Sequence, residues 1–187
     1  MEPDRPVSLA AVTEASRPAL ANLFQLYAYD WSELIPLDVQ DDGRFPDELF
    51  AKYLTGDAEH QAFLLYAAER LTGFAIVAER SRLTGEVGVC DMEEFFVMRR
   101  YRRHGLGRAA AVATFDRFPD RRWEVRQRDG NTAATAFWRK VIDGYTAGHY
   151  REVRWNDGSW VGPVQLFGRV SPTGPIAREP SVRRNDR

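Results

Sequence analysis

Arg99, Arg100, Arg102, Arg103 and Arg108 crowd around Gly105 and Gly107, between an apolar run ending at Met98 and an Ala-rich run beginning at Ala109. The stretch reads as strand, cationic glycine loop and helix start. Glycines permit a tight turn and leave no side chain in the way of an anion, and the first N–H groups of a helix lack internal partners. Backbone of this kind holds phosphate, and the fixed positive charges favour a polyphosphate over a neutral ligand. Just upstream, Asp91, Glu93 and Glu94 offer carboxylates able to take a proton from a reacting group. Strand alternation puts Asp91, Glu93, Phe95 and Val97 on one face and Glu94 on the other, unless a bulge resets the register.

The elements that must position these residues follow from apolar periodicity. A short strand over residues 7–12 precedes Leu20, Leu23, Phe24 and Tyr27, whose spacing predicts an amphipathic helix over residues 16–29. Residues 30–43 mix Trp31, Leu34 and Ile35 with acids at Asp30, Glu33, Asp38, Asp41 and Asp42, a functional loop or broken helix. A short helix over 46–54 leads to strands over 62–69 and 73–80, joined at hairpin length, and a third strand over 87–98 completes a meander. After the glycine loop, Ala111, Phe115 and Phe118 mark a helix face that Pro119 stops. A strand over 123–127 and a helix carrying Ala134, Phe137, Trp138 and Val141 come next. Runs over 145–155 and 161–170 around Asn156-Asp157-Gly158-Ser159 predict a C-terminal β-hairpin.

The fold class is therefore α+β. The chain has 187 residues, 44% of them hydrophobic, and fits one domain over residues 1–170 with a single core. Residues 171–187 turn to proline, arginine and polar residues and read as a disordered tail. A net charge of −1 makes the arginine cluster a local feature and argues against nucleic-acid or acidic-membrane binding. Cys90 is the lone cysteine, which excludes an internal disulfide and a thiol-based metal site and suits a reducing cytoplasm. Neither a secretory signal nor an apolar run of membrane-spanning length is present, so no membrane association is expected.

Arg102-Arg103-His104-Gly105-Leu106-Gly107 resembles the Arg/Gln-x-x-Gly-x-Gly/Ala loop of the GNAT superfamily of N-acetyltransferases. Phe95 to Met98 looks like that family's fourth strand, and Asn131-x-x-Ala134-x-x-Phe137-Trp138 resembles the segment opening its fourth helix. The resemblance implies a mixed, mostly antiparallel central sheet flanked by helices, with acetyl-CoA as co-substrate and a small-molecule or peptide amine as acceptor. It implies that Phe96, Val97 and Met98 line the pantetheine arm and that Arg102, Arg103, His104, Gly105, Leu106, Gly107 and Arg108 surround the diphosphate. Asn131 is a good helix N-cap, and the resemblance adds a contact near the pantetheine. Relatives often place a base on this strand, which points to Glu93 first and Asp91 second. Trp138 departs from the tyrosine that many relatives use as acid, and indole cannot replace it. Tyr145, read as a strand residue, is the substitute candidate.

Alternatives stay open beside this. Gly105-Leu106-Gly107-Arg108-Ala109-Ala110 also satisfies Gly-x-Gly-x-x-Ala, the dinucleotide fingerprint, with Glu124 near its acidic position. A charged loop before Gly105 and meander strands upstream weigh against an NAD(P) enzyme. A non-catalytic acyl-CoA-binding module would share fold and loop. Tyr27, Tyr29, Trp31 and the acids of residues 30–42 are candidates for the acceptor pocket, the acids being suited to a cationic acceptor. The acceptor's identity is not encoded legibly, and a homodimer is admitted without being specified.

Overall fold

The computed structural model describes residues 6–56, 59–158 and 160–168. Strands β1 (Val7–Ala11), β2 (His60–Ala67), β3 (Arg70–Arg80), β4 (Val87–Val97), β5 (Arg122–Arg126), β6 (Arg151–Asn156) and β7 (Val161–Gly168) form one sheet. Their order is β1-β2-β3-β4-β5-β7-β6, and all pairs are antiparallel except β4 with β5. Helices α1 (Arg17–Trp31) and α2 (Ala51–Leu54) cover one face, and α3 (Leu106–Asp116) and α4 (Thr132–Thr146) the other. This is the α+β sheet with a C-terminal hairpin that the pattern predicts. A single parallel pair is incompatible with the parallel β-α-β units of a dinucleotide fold, which removes the NAD(P) alternative.

The sheet separates two apolar layers where one core was expected. Phe24, Leu64, Phe74 and Ile76 pack under α1 and α2, and Phe63, Phe115, Trp123, Trp138 and Phe167 under α3 and α4. Gly73 sits where β3 crosses β4: a Cβ there would lie 1.9 Å from the carbonyl oxygen of Phe96, so only hydrogen fits.

The β2–β3 hairpin turns at Ala68-Glu69, with Ala67 paired to Arg70, three residues earlier than the Gly73 boundary suggests. The run over 145–155 is not one strand. α4 continues through Tyr145 to Thr146, because Trp138, Val141, Ile142 and Tyr145 extend one helical stripe, and it ends where Ala147 adopts a left-handed conformation. Ser159 and residues 169–187, including the expected tail, lie outside the described residues. Among the described residues no helix is long and apolar enough to cross a membrane.

The functional consequence of the topology lies at the centre. β4 pairs with β5 only from Val89 to Asp91, against Arg122 to Glu124. Beyond Asp91, β5 keeps its pairing with β7 and β4 its pairing with β3, but the two no longer pair with each other and splay apart.

Candidate active site

The end of β4 runs through a 3₁₀ turn at Arg99–Tyr101 into α3. Arg103 (φ 66°) and Gly105 (φ 79°) both take left-handed backbone, the conformation from which anion-binding nests of successive N–H groups are built. Among the described residues the N–H groups of Arg103, His104, Gly105, Leu106, Gly107 and Arg108 donate to no protein acceptor; the first amide back in the helical ladder is that of Ala109, to Gly105 O at 3.0 Å. The loop thus presents a run of backbone donors with no acceptor among the described residues. Its two glycines differ in role. A Cβ at Gly105 would meet nothing within 4 Å, so the turn conformation requires that glycine, whereas at Gly107 a Cβ would come within 3.3 Å of the Phe137 ring, so the close α3–α4 contact favours a small residue there.

The Arg102 side chain turns away from the loop. Its Nε donates to Val97 O at 2.6 Å and its guanidinium pairs with Asp30, which also accepts from Arg99 Nε at 2.8 Å. These contacts clamp the end of α1 to the end of β4. Arg103 and His104 keep exposed side chains around the free amides, and Arg108 does the same from the first turn of α3.

A bulge decides where the carboxylates point. Ile76 opposes Glu94 and Val77 opposes Met92, leaving Glu93 without a partner on β3. Met92, Phe95 and Val97 therefore share the α3–α4 face, while Glu94 and Phe96 face α1 and α2. The conditional reset anticipated in the alternation argument is the observed state, and the grouping of Asp91 and Glu93 with Phe95 and Val97 is corrected accordingly.

Each carboxylate has a different environment. Asp91 is buried against Arg126, whose Nη2 donates to Oδ2 at 2.7 Å; burial raises its pKa and Arg126 opposes the rise. Glu93 meets Lys52, Arg82 Nη1 at 3.5 Å and His60 Nε2 at 2.9 Å. Burial alone would raise its pKa, but Lys52 and His60, with Arg126, outweigh burial and lower it. Glu94 accepts from the hydroxyls of Tyr27 and, at 3.0 Å, Tyr53. Burial raises its pKa despite those two bonds, and burial beside Glu94 raises both tyrosines as well, so they remain donors.

Glu93 and Glu94 open on a cleft of about 400 Å³ at the β4–β5 splay. Tyr27, Lys52 and Tyr53 line it from one side, Asn131, Trp138 and Trp160 from the other. Asn131 caps α4, its Oδ1 accepting from Ala134 N at 3.1 Å, while also lining the cleft. A larger, more open groove of about 520 Å³ near Glu79, Asp116 and Arg121 contains none of the β4, loop or Asn131 residues.

Tyr145 does not reach the cleft. Its helical position puts its ring on Phe115 and its hydroxyl 3.0 Å from Asp116, and burial with that bond pushes its pKa up to about 12. Of the acceptor candidates, Tyr27 and Trp31 line the cleft and Tyr29 is exposed outside it. Residues 30–42 contribute Trp31, Ile35 and Leu37 and none of their acids, since Asp30 is held by Arg99 and Arg102. The acids expected to draw a cationic acceptor are thus not in the cleft wall. Sequence reasoning missed Lys52, His60, Tyr53 and Arg126, which come together only through tertiary packing, and it passed over Glu94 as the base although alternation places it, as the structure does, on the face opposite Phe95 and Val97.

The sequence pattern described as the acetyltransferase (GNAT) family matches residues 20–142. Comparison with curated proteins gives no significant match. Among solved structures, an acetyltransferase from Thermus thermophilus is 21% identical, with a TM-score of 0.62 over 86% of this chain and 96% of that one. A spermidine N-acetyltransferase from Vibrio cholerae in complex with CoA and spermine is 13% identical, with a TM-score of 0.57 over 87% and 95%. The ribosomal-protein-S18-alanine N-acetyltransferase from Escherichia coli is 14% identical, with a TM-score of 0.53 over 91% and 99%. At these identities the three structures speak for the shared fold.

Proposed function

We propose, from the premise that this chain belongs to the acetyltransferase (GNAT) family, that it moves an acetyl group from acetyl-CoA to a primary amine by direct attack. The observation that carries the reading is the run of unpartnered N–H groups over residues 103–108, placed at the end of a strand whose outer edge opens on a cleft holding a carboxyl of raised pKa. The free amides and the arginines around them suit the diphosphate of CoA. Met98 N–H bonds back to Thr72 O on β3, so by alternation the N–H of Val97 faces the splayed side. There it can pair with an extended pantetheine arm or donate to the thioester oxygen. Phe96 and Met98 pack on the α1–α2 face and hold that edge in place.

Acetyl-CoA supplies an activated acyl group on a thiol of pKa about 8.5, a tolerable leaving group without a strong acid. The chain's own residues must deliver a neutral amine. We assign the base to Glu94 in place of Glu93 or Asp91: Glu93 is already ion-paired with Lys52 and in contact with His60, and Asp91 is buried behind its pair with Arg126. Tyr27 and Tyr53 fix the Glu94 carboxyl, and burial raises its proton affinity toward that of a useful base. One ammonium proton passes to Glu94, the amine nitrogen bonds the carbonyl carbon as the C–S bond breaks, a second proton ends on sulfur and the last stays on the amide. The cleft holds both reactants in one place, so much of the acceleration is positional.

Thermal shift and thiol release test the reading together. CoA and acetyl-CoA should stabilise the protein where NAD does not, and acetyl-CoA should release free thiol when an acceptable amine is present. Stabilisation without thiol release across a broad amine panel would leave a binding module in place of an enzyme.

A further inference from the structure

The cleft wall has a charge balance that the acidic segment over residues 30–42 does not foreshadow. Lys52, Arg82, Arg126 and Arg128 all line it, against the carboxylates Glu93 and Glu94, with Asp91 set behind Arg126. Cations outnumber carboxylates. Their donors are also unequally used. Arg126 commits Nε and Nη2 to Asp91 and lays its guanidinium on the Trp160 ring at 4.9 Å. Lys52 and Arg82 share one oxygen of Glu93, the second at 3.5 Å. Arg128 is exposed, and its side chain makes no ion pair or hydrogen bond among the described residues. Apart from Gln127 and Asn131, the remaining wall is apolar or aromatic, with Trp31, Ile35, Leu37, Leu49 and Phe50 among it.

We propose that the acceptor is a primary amine carrying an anionic group on an apolar body, with the anion received by Arg128 and Arg82 and the body seated against the aromatic wall. The inference rests on the acetyl-transfer reading and specifies its substrate class. A second positive charge on the acceptor, as in a polyamine, would face Arg82, Arg126 and Arg128, and the one lining carboxylate left once Glu94 receives the reacting ammonium is Glu93, already paired with Lys52 and Arg82. An anionic group instead meets guanidinium forks with free N–H donors, the geometry that suits carboxylate and phosphate alike. The apolar wall gives the rest of the molecule a surface to cover, and Trp160 and Trp31 stand on opposite banks of the splay.

The test is thiol release by the full chain with acetyl-CoA and four amines: phenylalanine, its aminophosphonate analogue, phenethylamine, and spermidine. The two anionic amines should exceed phenethylamine in kcat/KM by about tenfold or more, the scale of one charge-assisted contact. Preference between carboxylate and phosphonate identifies the anion. Arg128→Gln and Arg82→Gln should each shrink the anionic-to-neutral ratio, with the loss appearing in KM. Preference for spermidine or phenethylamine, or a ratio that neither substitution moves, overturns the inference while leaving acetyl transfer intact. Loss of acetyl-CoA stabilisation in Arg128→Gln would reassign that arginine to the CoA phosphates and overturn its part. Absence of thiol release from every amine, with acetyl-CoA still stabilising the fold, defeats the acetyl-transfer reading itself.

Discussion

At the level of single residues, the adjacent Glu93 and Glu94 show how environment separates identical side chains. Glu94→Gln should lower kcat by about a hundredfold or more, the usual worth of a positioned base, while thermal stabilisation by acetyl-CoA persists. The pH profile supplies the sign. A base works when deprotonated, so the wild-type rate should rise as pH climbs through the Glu94 pKa, which burial lifts above the ordinary carboxylate range, and Glu94→Gln should erase that limb. Glu93→Gln behaves differently. Its folded pKa is depressed, so its contribution to stability is present above the ordinary carboxylate range and lost as pH falls through the folded value. Removing it should cost about 1–2 kcal/mol near neutral pH, less than a fully buried pair because Lys52 and Arg82 are about half exposed, and the cost should vanish in acid. Urea midpoints of both proteins across pH measure this; a cost that grows on acidification would contradict it. Alternation already separates Glu93 from Glu94, but that Glu93 and Asp91 leave the face of Phe95 and Val97 was not readable from it, since a bulge is a property of the β3–β4 pairing, of which β4 supplies only one partner.

At the level of elements, local signals and long-range pairings were unequally legible. The glycine loop and its flanking strand and helix are written in contiguous residues, and they stand where the sequence places them. The end of α4 was obscured because Tyr145 satisfies a strand pattern with the residues after it and a helix stripe with Trp138, Val141 and Ile142 before it; packing on Phe115 selects the helix. Nothing local announces that β4 pairs with β5 for three residue pairs and then leaves it. Two glycines test how firmly the elements fix the splay. Gly73→Ala drives a Cβ into the Phe96 carbonyl and should cost about 3 kcal/mol or more, weakening acetyl-CoA binding as the end of β4 is displaced. Gly107→Ala meets only the rim of the Phe137 ring and gains helix propensity, so its net change should stay within about 1 kcal/mol. Chemical denaturation of the pair ranks them, and an equal cost would show that the β3–β4 contact is more compliant than its geometry indicates.

At the level of the whole molecule, the order of periodic elements points to the α+β class, which the sheet and the family match bear out, but the cleft is a property of the complete sheet. One half of it, β1 to β4 with α1 and α2, brings Tyr27, Lys52 and Glu94; the other, β5 to β7 with α4, brings Arg126, Asn131 and Trp160. A narrow parallel seam joins the halves in the sheet, and α3 and α4 bridge them on one face only. A ligand lying along β4 from the cleft to the α3 loop would span that opening on both sides. Binding should therefore do more than shield the loop. In hydrogen exchange, acetyl-CoA should slow the amides of Val97, which faces the splay, and of residues 103–108, which donate to no acceptor among the described residues, and should also slow the start of α4 beside Asn131. At a ligand concentration of about a hundredfold Kd, global stabilisation of about 2.7 kcal/mol follows from linkage alone, so amides throughout the core should slow together where they exchange by global unfolding. The discriminating signal is the extra protection at the loop and at α4 beyond that shared increment. If slowing appears at β6 and β7 equally with the loop and no extra protection marks Val97, the ligand is not lying in the splay, and the opening between β4 and β5 serves only to let the two halves of the sheet twist apart.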